Sequence, residues 1–325
     1  MDVSVVICTR NEGAMLPRTV ASVLTATAFP SFEVVVVDDG STDGSTDDLP
    51  ADARVRLVRG EELGLPAARN LGAAHADGDV VVFLDAHCEV SPNWLDVLTA
   101  ALDPPDVAVV GPAFTALDSD DPYRGCGMTW VNDRLETAWF AAPGPAAPAE
   151  VPFAPGGCQA WRKETFAAVG RFDEGMTRWG FEDIEICLRA WLLGYRVLGA
   201  PAATVAHHFR TERAFVVEDE GVLHNYLRML HLHLAPEREA RCTEAVGAYP
   251  GLDQARAQVA AGDAPDLRAE LEAVRVRDDG WFLRTFTPHL GVAGVTGRRA
   301  GGVPRRAASA CASPRGARAG ARRPS

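Results

Sequence analysis

Short β-branched runs alternate with helical patterns along the first half of the chain, and this alternation restricts the fold more than any other feature. Five runs are almost continuously apolar, as expected for strands that are covered on both faces. They span residues 3–8, 33–38, 55–59, 79–85 and 106–111. Three stretches between them carry apolar residues at helical spacing, namely 12–26, 66–76 and 92–102. Strand–helix–strand order of this kind predicts an α/β fold with a doubly wound, mostly parallel sheet.

Residues just before two of the predicted helices have side chains that commonly cap helices. Asn11 precedes the first helix and Ser91 precedes the third. Asn and Ser accept hydrogen bonds from the first free N–H groups of a helix. We therefore expect both side chains to act as N-caps.

Acidic residues follow the predicted strands, where ligands bind in sheets of this type. Asp39 directly follows the second strand, and Asp85 ends the fourth. His87 lies two positions after Asp85, so both side chains can ligate one divalent cation if the local backbone stays extended. The alternative is a capping Asp followed by a chance His.

A third metal ligand must come from elsewhere in the chain, and the segment "VAHHFR" at 205–210 offers two histidines. Adjacent residues of an extended chain point to opposite faces, so only one of His207 and His208 is expected to turn inward. The alternative is that both are ordinary surface histidines.

Four further charged residues are candidates for the site. Glu182 and Asp183 lie in the first turn of a predicted helix that ends at Gly194. The helix dipole favours their ionised forms, which suits a carboxylate that accepts a proton from a hydroxyl, although they could equally just stabilise the helix. Arg10 and Arg69 could pair with a diphosphate or form surface ion pairs.

Five sequence blocks occur in the order that is typical of family 2 glycosyltransferases, and the chain resembles these nucleotide-sugar enzymes of the GT-A fold. The blocks are "VSVVICTRNEGAMLPRTVASVL", "VVVVDDGSTD", "LGLPAARNLGAAHADGDVVVFLDAHCEVSPNWLDVL", "FAPGGCQAWRKETFAAVGRFDEGMTRWGFEDIEICLRAW" and "HHFR". More narrowly, "FLDAHCE", "GRFDEGMTRWGFEDIEICLRAW" and "AHHFR" resemble the catalytic domain of polypeptide N-acetylgalactosaminyltransferases. The resemblance implies metal-dependent transfer of a sugar, from a UDP-sugar donor, to a hydroxyl acceptor.

The resemblance also implies roles for individual residues. The implied metal ligands, for Mn²⁺ or Mg²⁺, are Asp85, His87 and His207. The positions implied to hold or adjoin the donor are Thr9, Arg10, Glu12, Asp39, Arg69, Asp85, Gly156, Gly157, Trp179 and Arg210. Glu182 and Asp183 are the implied catalytic positions.

Two departures from the mucin-type pattern leave the reaction open. Asp183 stands where those enzymes have Asn, and inverting family 2 enzymes use an Asp there as general base, so we expect inversion, with retention as the alternative. The sequence contains neither their membrane anchor nor their Gln-x-Trp repeats, so the acceptor could be a glycan, a peptide or a small molecule. A non-catalytic nucleotide-binding or scaffold protein is the alternative from a different class.

Composition and patterning beyond the blocks predict the remaining organisation. We expect a GT-A domain at 1–210, a helical C-terminal region at 211–297 and a disordered tail at 298–325 that carries eight Arg and no acid. The net charge of −12 argues against nucleic acid as a partner. Seven scattered cysteines without a CxxC pair favour reduced thiols. With no spanning segment and no signal peptide in evidence, we expect a cytoplasmic protein.

Overall fold

The computed structural model of the protein describes residues 2–142, 144–209 and 219–291, and the strands of these residues form one sheet. The strands are β1 Val3–Thr9, β2 Phe32–Asp38, β3 Val55–Arg59, β4 Val80–Asp85, β5 Cys88–Val90, β6 Val107–Ala116, β7 Arg124–Trp130, β8 Thr137–Ala141, β9 Ala149–Glu150, β10 Cys158–Arg162 and β11 Arg196–His207. The helices are α1 Met15–Ala26, α2 Leu65–His75, α3 Trp94–Ala101, α4 Lys163–Ala168, α5 Glu182–Leu192, α6 Asp219–His233, α7 Pro236–Val246, α8 Leu252–Ala261, α9 Ala264–Val274, α10 Asp279–Phe286 and α11 Pro288–Gly291.

The sheet runs in the order β3-β2-β1-β4-β10-β6-β11-β5, with β1 parallel to both β2 and β4. In this register Cys8 lies beside Val37 and Asp85, so the carboxyl ends of three strands meet at one edge. β6 and β11 are also parallel, whereas β10 is antiparallel between β4 and β6. The predicted α/β fold with a mostly parallel central sheet is confirmed, and the antiparallel insertion of β10 is a feature that the sequence pattern did not predict.

The two predicted N-caps are wrong, because neither helix has a side-chain cap and both side chains accept hydrogen bonds from distant segments instead. α1 begins only at Met15 and has no side-chain cap, while Asn11 Oδ1 accepts the Thr42 N–H at 2.8 Å. Ser91 Oγ accepts the Thr204 N–H at 3.1 Å. These bonds tie together segments that adjoin the carboxyl ends of the strands, which is where a site was expected.

The hydrophobic core lies on both faces of the sheet. One face is covered by α1 and α3. The other face is covered by α2, α4 and α5, and the helices from α6 to α10 add residues to the same cluster. α5 is buried at every position from Glu182 to Leu192, because it lies between the sheet and the C-terminal helices. Helices α6 and α10 of the predicted helical region after residue 210 therefore pack against α5.

Three predictions concern residues that this structure does not describe. Arg210 and the basic tail 298–325 lie outside the described residues, and the boundaries 1–210 and 211–297 stay predictions. Among the residues that are described, no helix combines the length and apolar character needed to cross a membrane.

Candidate active site

Asp85, His87 and His207 converge at the carboxyl edge of the sheet, and one ligand atom from each lies within 4.8 Å of the other two. The short strand β5 explains this arrangement. It follows His87 directly and pairs antiparallel with β11, so that His207 lies opposite Cys88. The backbone is not extended from Asp85 to His87, because Ala86 and His87 form a turn between β4 and β5, and both side chains nevertheless join the group.

The second histidine of the pair has a different role. The His208 N–H donates to the His87 carbonyl at 3.0 Å, and His208 is not a member of the potential metal group. The expectation that one of the two adjacent histidines turns toward Asp85 is therefore met by His207, whose Nε2 lies 3.4 Å from Asp85 Oδ2.

The electrostatics of the three residues suit a cation. Burial tends to raise the pKa of Asp85, but the hydrogen bond from His207 and the charges of His87 and Arg69 outweigh it and hold that pKa well below its usual range. Burial lowers the pKa of His207, which favours the neutral imidazole that binds metals. Nδ1 of His207 is buried without a hydrogen-bond partner.

These observations fit a divalent metal ion. A carboxylate is a typical ligand of Mg²⁺ and Mn²⁺, and two imidazoles shift the preference towards Mn²⁺. Glu12 lies close by, with its Oε2 3.3 Å from Nδ1 of His87, so a second carboxylate adjoins the group.

A pocket beside this group contains most of the predicted nucleotide-binding residues. Its lining includes Thr9, Arg10, Glu12, Asp39, Asp85, His87 and Trp179. The buried hydroxyl of Thr9 has no hydrogen-bond partner, so it is available to a polar ligand. Arg10 also forms an ion pair with Glu62 at 2.8 Å.

Asp39 has a structural role that the sequence did not predict. Its carboxylate accepts the N–H groups of Leu63 at 2.7 Å and Gly64 at 2.9 Å. Gly64 has φ +87°, and an added Cβ would lie 2.9 Å from the backbone nitrogen of Arg178, so only glycine fits there. Asp39 thus shapes the pocket wall as well as facing the pocket.

Sequence reasoning missed Arg178, which lines the same pocket. Its carbonyl accepts the Leu65 N–H at 2.7 Å, which joins its loop to the start of α2. The only signal in the sequence is a basic residue directly before Trp179. That position alone does not show that the residue lines this pocket.

A second pocket adjoins the first on the other side of Trp179. The residues predicted for the donor sugar and the chemistry line it, namely Arg69, Asp85, Gly156, Gly157, Trp179, Glu182, Asp183 and His207. Three aromatic side chains, Phe114, Trp139 and Phe209, also line it and were not predicted. Their rings are in mutual contact, since Trp139 lies 5.3 Å from Phe114 and 6.2 Å from Phe209 between ring centroids.

Arg69 is buried between the metal group and α5, with 3% of its surface exposed. Its guanidinium donates to the Gly156 carbonyl at 2.8 Å, to Glu182 at 3.1 Å and to Asp85 at 3.2 Å. All three acceptors belong to the protein, and Arg69 therefore links Asp85 of the metal group to Glu182 of α5. Its predicted contact with a diphosphate stays a prediction.

Asp183 is held by backbone donors at the start of α5. It accepts the Gly156 N–H at 2.8 Å and the Ile184 N–H at 2.9 Å. Burial, together with the negative charge of Glu182, raises its pKa well above the usual range. A carboxylate with a raised pKa is suited to accept a proton from a hydroxyl.

The two predicted glycines are explained by close packing. A Cβ at position 156 would lie 2.9 Å from the Cβ of Asp183. One at position 157 would lie 3.2 Å from Cδ2 of His207 and 3.0 Å from the ring of Phe114. Both glycines therefore allow the segment before β10 to approach the metal and acidic side chains.

This sheet and the placement of the site are those of the GT-A glycosyltransferase fold. A crystal structure of GalNAc-T7 with UDP, GalNAc and Mn²⁺ matches 87% of this chain and 56% of that chain, with a TM-score of 0.69 and 25% sequence identity. The model of glycosyl transferase family 2 matches residues 4–170, and a model described as the N-terminal domain of galactosyltransferase matches residues 145–213. The chain therefore belongs to glycosyltransferase family 2, as its sequence blocks predicted.

The relatives of the chain are polypeptide N-acetylgalactosaminyltransferases. It is 34% identical over 323 residues to polypeptide N-acetylgalactosaminyltransferase 11 of Xenopus tropicalis, a match that covers 90% of this chain and 51% of the relative. It is 32% identical over 265 residues to an inactive polypeptide N-acetylgalactosaminyltransferase-like protein 5 of Macaca fascicularis, covering 73% of this chain and 58% of the relative. The chain thus spans only about half the length of the relatives that it matches.

Proposed function

We propose that the chain transfers a sugar from a UDP-sugar to a hydroxyl acceptor and that a divalent metal ion, Mn²⁺ in preference to Mg²⁺, is held by Asp85, His87 and His207. The observation that carries the proposal is the convergence of these three side chains, within 4.8 Å, beside a pocket that contains the unpartnered hydroxyl of Thr9. When bound, the metal supplies Lewis-acid stabilisation of the charge on the departing diphosphate.

The remaining chemistry belongs to the side chains of the second pocket. The acceptor oxygen forms a bond to the anomeric carbon while the bond from that carbon to the diphosphate breaks. The proton of the acceptor hydroxyl passes to Asp183, whose raised pKa suits this role. Glu182 instead fixes geometry, because its carboxylate is bonded to Arg69 and to the Gly180 N–H at 2.8 Å. A base at Asp183 corresponds to inversion, and an NMR assay of the product anomer tests it against retention.

The relatives suggest which donor and acceptor to try first. GalNAc-T7 was crystallised with UDP and GalNAc, and the related sequences are named for action on polypeptides. We therefore propose a UDP-N-acetylhexosamine as the donor. The aromatic lining formed by Phe114, Trp139 and Phe209 can contact either the apolar part of a peptide or the face of a sugar, so both acceptor classes belong in the assay.

The test is a thermal-shift panel of UDP-, GDP- and dTDP-sugars, each with and without Mn²⁺, followed by donor hydrolysis and transfer assays. A ligand at a hundredfold excess over its Kd stabilises the folded state by about 2.7 kcal/mol. We expect the largest shift with a UDP-sugar and Mn²⁺ together. Wild-type turnover by a variant that carries both Asp85→Ala and His207→Ala would refute the metal assignment.

A second candidate function is nucleotide binding without catalysis. The observation in its favour is the 32% identity to a relative that is named as inactive. It predicts a Mn²⁺-dependent shift with UDP but no turnover with any peptide, glycan or small-molecule acceptor. Detectable hydrolysis of the UDP-sugar that depends on Asp85 would exclude it.

We also propose a reducing, cytoplasmic compartment for the chain. The proposal is supported by the six cysteines of the described residues, all of which are unpaired and five of which are buried. Mass spectrometry of thiols trapped in the native host tests it. Cysteines recovered in disulfide form would contradict the proposal.

A further inference from the structure

Helix α6 contacts the loop beside the two pockets through Asn225, a residue with no exposed surface. Its Nδ2 donates to the carbonyls of Thr177 at 2.8 Å and Gly180 at 2.9 Å, and its Oδ1 accepts the Thr177 N–H at 2.7 Å. One side chain thereby binds both ends of the segment 177–180.

This segment carries the wall between the two pockets of the site. Trp179 lines both pockets, and Arg178 lines the first one, which contains Thr9 and Asp39. The Gly180 N–H donates to Glu182, whose other carboxylate oxygen accepts from Arg69. A displacement of the segment would therefore reach the metal group through Glu182, Arg69 and Asp85.

Phe181, which follows the segment 177–180, and Tyr226, which follows Asn225, add a second contact between the loop and α6. Phe181 has φ +68°, a left-handed conformation that costs free energy for a bulky residue and persists only where the surroundings hold it. Its ring packs against Tyr226 of α6 at 5.3 Å between centroids. Asn225 and Tyr226 thus hold Thr177, Gly180 and Phe181 of the loop.

We propose that Asn225 is a positioning residue of the transferase site. It touches neither pocket, and it acts by holding Trp179 against both pockets and by fixing the Gly180 N–H that orients Glu182. The proposal rests on the proposed function for its kinetic consequence, but the positioning itself does not require turnover. It assigns a role to α6, which lies outside the blocks that carry the family resemblance.

The kinetic test compares Asn225→Ala with Leu232→Ala. Leu232 lies about two turns further along α6 and is fully buried in the core, so its replacement destabilises the same helix at a position away from Asn225. We expect Asn225→Ala to lower kcat for donor hydrolysis by about 10- to 100-fold, because small misplacements of positioning groups have effects of this size. Leu232→Ala should retain the wild-type kcat at a similar loss of Tm. Equal kcat values in the two variants would overturn the proposal.

A second readout is independent of activity. Hydrogen exchange of the Thr177 amide should become faster in Asn225→Ala, while the amides of β1 and β4 keep their protection. Asn225→Asp keeps the acceptor for this amide and removes both donors, so it should protect Thr177 better than Asn225→Ala and still lower kcat. If Asn225→Ala does not fold, Asn225→Asp carries both measurements.

The outcomes separate this inference from the proposed function. Faster exchange at Thr177 in a protein whose wild type has no turnover would overturn the transferase activity and retain the role of Asn225 in holding the loop. Unchanged exchange at Thr177 in Asn225→Ala would overturn the role of Asn225, whatever the activity of the wild type.

Discussion

Two regions of the molecule differ in how completely their buried polar groups are paired by hydrogen bonds. At the donor edge, which comprises Thr9, Asp85, His87 and His207, three buried polar atoms have no hydrogen-bond partner, namely Thr9 Oγ1, His87 Nδ1 and His207 Nδ1. At the α5–α6 interface, which comprises Glu185, Arg189 and His233, each charged group faces another at hydrogen-bond distance. Arg189 Nε lies 2.8 Å from Glu185, and His233 Nε2 lies 2.7 Å from the same carboxylate.

The difference indicates where ligand binding and where stability reside. Buried polar groups normally have hydrogen-bond partners, and those without one can receive a bond from a bound ligand. Fully paired buried ions contribute little net stability, but removal of one partner leaves a buried charge that is strongly unfavourable. Substitutions at the donor edge should therefore change activity, and substitutions at the α5–α6 interface should change folding.

The largest expected effect is at the α5–α6 interface. Glu185→Gln leaves the Arg189 guanidinium without its carboxylate, and Glu185 has no exposed surface. We expect a loss of about 3–5 kcal/mol in the free energy of unfolding, measured in urea. The control is Glu272→Gln, an exposed carboxylate that pairs with Arg268 at 3.0 Å, at the same helical spacing, and with Arg275 at 3.1 Å. It should cost less than about 1 kcal/mol, and equal losses would remove the distinction between the regions.

The next effect is at the donor edge and falls on catalysis. Asp85→Asn should lower donor hydrolysis with Mn²⁺ by about 10²- to 10³-fold, or about 3–4 kcal/mol, because electrostatic stabilisation of the leaving group depends on this ligand. The unfolding free energy without metal should fall by only about 1 kcal/mol, since Arg69 keeps its bonds to Glu182 and Gly156. Asp106→Asn, at an exposed ion pair with Arg196, is the control for both measurements. A large loss of unfolding free energy in Asp85→Asn, with unchanged donor hydrolysis by the folded fraction, would reverse the comparison.

Acid should weaken the α5–α6 interface through Glu185. Burial alone would raise its pKa, but the charge of Arg189 and the hydrogen bond from His233 outweigh burial and lower it to about 2, from an ordinary value of 4.5. A depressed pKa contributes stability that is complete above the ordinary value and is lost as the pH falls from 4.5 towards about 2. The slope from this one group approaches about 1.4 kcal/mol per pH unit. Urea unfolding of the wild type and of Glu185→Gln across this range tests it, because the variant should lack that component of the slope.

The smallest effect concerns a helix end in the C-terminal region. Asp278 caps α10 by accepting the Trp281 N–H at 2.6 Å. Asp278→Ala should cost about 1 kcal/mol of stability and leave donor hydrolysis unchanged. Asp253→Ala removes an exposed acid from the first turn of α8 without a capping bond and should cost less. A change in kcat with Asp278→Ala would show that the end of the C-terminal region also affects the site.

Most of the donor edge could be predicted from sequence, since the features involved are local. Continuous apolar runs mark strands that are buried on both faces, and the carboxyl ends of neighbouring parallel strands meet, so Thr9, Asp39 and Asp85 had to lie near one another. The order of the blocks then predicted His207 as the third member of the metal group. The structure brings its side chain beside Asp85 and His87, and its role as a metal ligand stays a prediction.

Other features depend on residues that are distant in the chain and carry no periodic signal. Packing between separate segments sets three such features. They are the antiparallel insertion of β10, the burial of Arg69 against Glu182 and the position of Arg178 in the lining of the first pocket. Asn225 looks like any polar residue of a helix until α6 is placed against the loop 177–180. The amino-acid sequence alone thus determined the fold class and the edge where the strand-end carboxylates gather, because both follow from short-range patterns, whereas His207 was assigned from the order of the family blocks. The tertiary structure alone decided which side chains hold those groups in place, because a hydrogen bond between distant segments exists only once both are packed.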